Sequence, residues 1–205
     1  MAVAIHTPTL MIVASDGEAS EDLGDLQGTW TVEQYLRITE GSNWLLEFTD
    51  GEIEVLPMPT DRHQNIVQFL LFALVAFLHP LGGKVQSAPL RLQVRDGKFR
   101  EPDLLLLLDA NDHRRQDIYW LGADLVMEVV SPDNPKRDTV VKRAHYAEAN
   151  IPEYWIVNPL DETITVLRLE GDEYVERGVF RRGEIATSAL LAGFDVAVSA
   201  VFDAR

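Results

Sequence analysis

The chain has 205 residues, 46% of them apolar and 25% charged, which is ordinary for a globular protein and enough to bury a real core. It contains no cysteine, which excludes disulfides, thiolate catalysis and cysteine-ligated zinc or iron–sulfur sites, so any metal must be held by oxygen or imidazole. A formal net charge of -15 opposes non-specific attraction to nucleic acid or to an anionic membrane. No Lys or Arg precedes Arg37, and residues 1–29 read as a poorly ordered acidic extension ahead of a single domain over 30–205. The first residues lack the basic start and long apolar centre of a signal peptide, so a cytoplasmic protein is expected.

Thr31 and Gln34 are spaced as a capping box, with Trp30 and Tyr35 as its hydrophobic staple, and predict a short helix. Trp44 to Phe48 and Ile53 to Leu56 flank Asp50-Gly51, a dipeptide suited to a tight hairpin turn. Glu47, Glu52 and Glu54 are expected on the solvent side of that hairpin. A long helix from about Asp61 to His79 follows, stopped by Gly82-Gly83, with His63 in its first turn. Its apolar run, Ile66 to Leu78, is shorter than the roughly 20 residues a bilayer span needs, so it is expected to be a buried helix and no membrane partner is implied.

Lys84 to Val94 alternates as a strand, and Asp96-Gly97 turns it into a return strand, Lys98 to Leu108, that carries Pro102-Asp103. After a polar loop comes the strand Asp124 to Val130, which contains Glu128, and Ser131-Pro132 closes it. Asn134 and Pro135 are good first positions for a helix reaching about Ala149. The strand Glu153 to Val157 should then lie parallel to the one before the helix. Thr163 to Leu169 and Tyr174 to Phe180 form a hairpin about Glu170-Gly171, and Leu190 to Phe202 packs as a strand and a short helix. The core order is helix, three strands, helix, strand, in a single α/β domain with a mixed sheet and flanking hairpins.

Asp103 and Glu128 stand out because each places a carboxylate in a run that otherwise reads as buried strand, where an unpaired charge is costly. If their strands are antiparallel neighbours, the start of one lies beside the end of the other and the two carboxylates converge. The helix from Pro135 leaves that same end, and on it Asp138, Lys142 and either His145 or Tyr146 share a face. Neighbouring carboxylates repel unless a cation lies between them, and Mg²⁺ (or Mn²⁺) accepts a few carboxylates together with water and phosphate oxygens. The chemistry implied is metal-assisted phosphodiester hydrolysis, with Lys142 as the nearest long cation. Plainer readings stand beside it: Pro102-Asp103 as a strand opening, Glu128 on a solvated face, Asp138 and Lys142 as a surface ion pair, and His63 as a capping residue.

The ordered set of Leu46-Glu-Phe-Thr-Asp-Gly-Glu52, His63-Gln64, Arg100-Glu-Pro-Asp103, Ala123-Asp-Leu-Val-Met-Glu-Val-Val-Ser-Pro132, Asp138, Lys142, Tyr146, Ile151-Pro-Glu-Tyr-Trp155 and Asn158-Pro159 resembles the Uma family of putative restriction endonucleases, within the PD-(D/E)XK, or restriction endonuclease-like, superfamily. The resemblance spans roughly Thr31 to Phe202. It implies a nuclease-like αβββαβ core, Asp103 and Glu128 as metal ligands, His63 near the site, Glu47 as a weaker candidate and DNA as substrate. The superfamily signature has lysine two residues after the acidic residue, where this chain has Val130, and Lys142 matches the position from which some members supply it instead. The functional expectation is a Mg²⁺-dependent DNA endonuclease in which Asp103, Glu128, Lys142 and His63 act together. Two-strand cleavage would benefit from a homodimer. The alternative is a non-catalytic interaction or DNA-associated module that keeps the fold.

Overall fold

The computed structural model describes residues 11–13, 20–22, 26–40 and 44–205. In chain order, the first elements are β1 (Met11–Val13), β2 (Ser20–Asp22), α1 (Val32–Glu40), β3 (Leu46–Thr49) and β4 (Glu52–Val55). Next come α2 (Asp61–Leu78), a 3-10 turn (His79–Leu81), β5 (Lys84–Ser87), β6 (Arg91–Arg95), β7 (Lys98–Arg100) and β8 (Leu104–Leu107). After β9 (Tyr119–Trp120) and β10 (Leu125–Val129), a π turn (Arg137–Val141) leads into α3 (Lys142–Glu148). The chain ends with β11 (Glu153–Asn158), β12 (Thr163–Glu170), β13 (Glu173–Arg181), β14 (Ile185–Thr187), β15 (Asp195–Ala197) and α4 (Val198–Phe202). It divides into two compact units, Met1–Met58 with Asp96–Arg100, and Pro59–Arg95 with Glu101–Arg205.

In the first unit, β1 and β2 pair antiparallel, while residues 1–10, 14–19 and 23–25 of the expected acidic extension lie outside those described. The capping box forms as its spacing predicts: Thr31 N–H donates to Gln34 Oε1 at 2.8 Å, and Gln34 N–H donates to Thr31 Oγ1 at 3.2 Å. The β3–β4 hairpin turns at Asp50 and Gly51, with φ of 48° and 94°. Only glycine serves at the second of these, because a Cβ there would meet the Gly28 carbonyl oxygen at 2.5 Å. β7 pairs with β3, and Tyr35, Phe48 and Phe99 pack their rings at centroid distances of 5.1 to 6.5 Å.

Glu47 departs from the expected solvent face. Its side chain is only 2% exposed, with Oε2 lying 3.5 Å from Arg100 Nε. Arg100 also donates to the carbonyls of Phe48 and Phe99 and to Thr49 Oγ1. A buried charge is tolerated when it is paired and hydrogen-bonded, and here a guanidinium some fifty residues away in the chain supplies that condition. Glu52 and Glu54 are exposed as expected.

The second unit holds a six-stranded sheet in the order β13-β12-β11-β10-β8-β5. Its pairs are antiparallel except β10 with β11, which are parallel. Within it α2, β5, β8, β10, α3 and β11 supply the expected αβββαβ core, and the mixed α/β class is as the sequence predicts. Both faces of the central strands are covered, so all four residues of β8 are buried. Leu104, Leu106, Leu125, Met127 and Val129 join the cluster under α2. Leu105, Leu107, Val126 and Val130 join the cluster that includes Tyr146 of α3. Strand alternation therefore assigns Glu128 to the α3 side.

Length and composition alone would let residues 61–81 cross a membrane. Ile66, Val67, Leu70, Leu74 and Leu78 of α2 instead form a buried stripe on the sheet, as expected for a core helix.

Two expected strands each break in two. Lys84 to Val94 separates into β5 and β6 around Pro89, and Lys98 to Leu108 separates into β7 and β8 around Pro102. Neither proline has an N–H to give a sheet ladder. The second break also falls where the chain passes from one compact unit to the other, between Arg100 and Glu101. β9 has no counterpart among the expected strands, and its two residues pair in parallel with β6. The helix expected from Pro135 starts there and passes at once into the π turn, in which Lys142 N–H donates to Arg137 O five residues back.

Candidate active site

Pairing of β8 with β10 sets the site. Leu104 lies opposite Met127, so the antiparallel register brings Asp103, just before β8, to the end of β10 that carries Glu128. The Asp103 carboxylate closes this corner: Oδ2 accepts from Val129 N–H at 2.7 Å, while its main-chain oxygen accepts from Ala88 N–H. His63 reaches it from the first turn of α2, with Nε2 3.0 Å from Asp103 Oδ1. Thr60 caps that helix, accepting from His63 N–H, which fixes the backbone from which the imidazole projects.

Glu128 is 2% exposed and receives two donors on one oxygen. Lys142 Nζ lies 2.9 Å from Oε1, and the Tyr146 hydroxyl donates to the same atom. Asp138 joins them from the π turn, with Oδ1 3.4 Å from Lys142 Nζ and Oδ2 accepting from Ser131 N–H at 3.2 Å. Its main-chain oxygen accepts from the Tyr154 hydroxyl at 2.7 Å. Of the two candidates left open on the helix face, Tyr146 reaches the carboxylates and is fully buried, whereas His145 is half-buried.

The structure thus brings together Asp103, Glu128, Lys142 and His63, all within one compact unit. Asp138 and Tyr146 complete the group, as their spacing from Lys142 allows. Tyr154 and the Ser131 N–H have no such signal in the sequence, because their roles depend on strand register. Glu47 belongs to the other unit, where Arg100 accounts for its burial. Val130 is buried in the apolar cluster on the α3 side, and its N–H continues the sheet to Val157 O. A lysine there would lose that packing, whereas Lys142 brings its amine to Glu128 from α3.

Electrostatics at the site favour added positive charge. Burial pushes the Glu128 carboxyl above its ordinary range, against the attraction of Lys142 and with the charges of Asp103 and Asp138 acting in the same direction as burial. Burial likewise raises Asp138, against Lys142 and the Ser131 N–H. His63 is held above its ordinary value: burial opposes the imidazolium, but the hydrogen bond and charge of Asp103, with Asp138 behind it, prevail. Three carboxylates therefore face one lysine and one histidine.

That donor set fits a hard divalent cation. Among the described residues no group of three or more His, Asp or Glu side chains is placed to hold a metal alone. Mg²⁺ does not require such a cage, since it commonly binds one or two carboxylates and keeps water and substrate phosphates for the rest. Asp103 and Glu128 are the two carboxylates that the β8–β10 register brings to one strand end.

Comparison with known proteins agrees with this fold. A search of curated proteins finds no match. Among solved structures, a crystal structure of a putative nuclease belonging to DUF820 from Anabaena variabilis ATCC 29413 is similar, with a TM-score of 0.69 and 19% identity. The match covers 84% of this chain and 97% of that one, and at this identity it establishes a shared fold. The sequence also matches the Uma2 family, described as "Putative restriction endonuclease", over residues 32–199. With most of its length matched, the chain belongs to the Uma2 family.

Proposed function

We propose that this protein is an endonuclease that hydrolyses DNA phosphodiester bonds with Mg²⁺ or Mn²⁺ as cofactor. The observation that carries the reading is the meeting of Asp103 and Glu128 at one strand end, with the buried Lys142 amine 2.9 Å from the second carboxylate. The family description and the nuclease fold of the structural neighbour support the same class of chemistry. When bound, the cation would supply Lewis-acid stabilisation of a phosphoryl oxygen and a more acidic water.

The chain's own residues do the rest. Asp103 and Glu128 would offer carboxylate oxygens to the cation, and His63 holds Asp103 in orientation through its contact with Oδ1. Lys142 supplies a positive charge and a donor for an attacking water or a charged phosphate oxygen. With a net charge of -15, nucleic-acid affinity must come from the site and its bound cation rather than from the overall field.

The test is cleavage of supercoiled plasmid by the full chain with Mg²⁺ or Mn²⁺, beside Asp103→Asn and Glu128→Gln. We expect cleavage to fall at least about a hundredfold in either variant, the scale associated with losing a principal electrostatic group. Direct linearisation would indicate a paired second copy cutting both strands, and nicked circles accumulating first would indicate a single copy at work. Equal residual cleavage by all three proteins overturns the assignment. Metal binding without cleavage would favour the other reading, a nuclease-fold module, for which the buried Val130 in place of a lysine is the specific observation.

A further inference from the structure

We infer that Lys142 is a built-in counterion that occupies Glu128 until a divalent cation takes its place, and that Asp138 receives the displaced ammonium. The inference rests on the metal-site reading above and adds a positioning residue, Asp138, that acts through Lys142.

Three features of the geometry lead there. First, the lysine has two carboxylates within reach: Glu128 Oε1 at 2.9 Å, and Asp138 Oδ1 at 3.4 Å. The shorter contact is to the carboxylate proposed to bind metal, so the ammonium neutralises the group that the metal would use. Second, a divalent ion and an ammonium on the same buried carboxylate would repel strongly, since Coulomb energies over a few ångströms grow as water is excluded. One cation must yield, and the lysine is the one with a second acceptor.

Third, both carboxylates are anchored independently of the lysine. The Ser131 N–H and the Tyr154 hydroxyl hold Asp138 by its carboxylate and by its main-chain oxygen. The Tyr146 hydroxyl holds Glu128. Asp138 lies four residues before Lys142 across the π turn, so shortening the 3.4 Å contact needs only a change in the lysine side chain. After the shift the amine would remain beside the metal-binding carboxylates, where a catalytic cation is useful.

The test is calorimetric titration with Mn²⁺ alone, without DNA, on the full chain and on Lys142→Met, Asp138→Asn and the double variant. Removal of the competing ammonium should tighten Mn²⁺ binding by about tenfold in Lys142→Met, and loss of the second acceptor should weaken it by a similar factor in Asp138→Asn. In the Lys142→Met background the Asp138→Asn substitution should then have little further effect, because its action runs through the lysine. Lys142→Gln, which keeps a hydrogen-bond donor for the two carboxylates, serves if Lys142→Met does not fold, and it should tighten Mn²⁺ binding in the same direction.

The idea is overturned if removal of the lysine charge leaves affinity unchanged or weaker. It is equally overturned if Asp138→Asn weakens binding by the same factor in both backgrounds, which would be a plain field effect. Cleavage is read separately. A chain that shows the expected coupling but leaves plasmid intact supports the counterion exchange and counts against the nuclease. A chain that cleaves while Lys142→Met binds Mn²⁺ no more tightly retains the nuclease and loses the exchange.

Discussion

Glu128 and Glu153 are both buried carboxylates on neighbouring parallel strands, 2% and 1% exposed, yet their surroundings differ in kind. Glu153 is saturated by neutral donors. Oε1 accepts from Trp155 Nε1 and Ser188 Oγ, each at 2.6 Å, and Oε2 accepts from the N–H groups of Ala189 and Leu190, each at 2.7 Å. The same Ser188 hydroxyl accepts from the N–H groups of Leu190 and Leu191. Glu153 therefore fastens the segment before β15 to the central sheet. Glu128 has its donors on one oxygen and stands in the field of two further carboxylates. Burial alone therefore does not distinguish the two carboxylates; their donors and neighbouring charges do.

The largest expected effect tests that distinction directly. Glu153→Ala would strand an indole N–H, a hydroxyl and two backbone N–H groups, and should cost about 3 kcal/mol or more of folding stability. Glu128→Gln keeps the shape, removes a charge that burial disfavours, and leaves Lys142 beside Asp138, so its stability change should be about 1 kcal/mol or less. Urea unfolding of the two variants with a metal chelator present measures both. Equal losses would mean that Glu128 is as structural as Glu153.

A second contrast appears in pH dependence. Glu128 and His63 are both shifted upward, from ordinary values of 4.5 and 6.5. A raised folded-state value means that the native state binds the proton more tightly than the unfolded chain does. The associated stability is therefore present in full below the ordinary value and is lost as pH rises through the folded-state value. For the chelated protein, the melting temperature should fall as pH is raised from about 5 through neutrality. Glu128→Gln should flatten part of that slope. A wild-type profile level across this window, or a slope unaltered by Glu128→Gln, would remove Glu128 as its source.

Much of this was legible in the sequence because it follows from local spacing. The capping box at Thr31, the Asp50-Gly51 turn and the apolar stripe of α2 are rules of neighbours along the chain, and all three appear. The approach of Asp103 to Glu128 was legible one level higher, from strand order and direction. What sequence spacing could not supply was the identity of distant partners. Glu47 alternates like a solvent-facing residue, and only the tertiary approach of Arg100 buries it. Glu153 sits in an apolar strand as Glu128 does, and three of the four donors that saturate it lie about 35 residues away. The π turn was hidden because its extra residue per turn alters no residue type.

The smallest expected effect separates two tyrosines. The Tyr146 hydroxyl donates to Glu128, and the Tyr174 hydroxyl donates to the Ile151 carbonyl at 2.7 Å; both rings are buried and pack against Tyr154. Phenylalanine at either position keeps the ring and removes one hydrogen bond, at a stability cost of about 1 kcal/mol in each case. The two should part company in metal binding. On the proposed metal site, Tyr146 orients a carboxylate that would hold the cation, and outer-shell groups of this sort typically change metal affinity by about tenfold or more. Tyr174 serves a backbone carbonyl, so Tyr174→Phe should leave Mn²⁺ affinity where it was. Calorimetry on the two variants reads the difference, and if Tyr146→Phe binds Mn²⁺ as wild type does, Tyr146 is a packing residue whose hydroxyl merely finds the nearest acceptor.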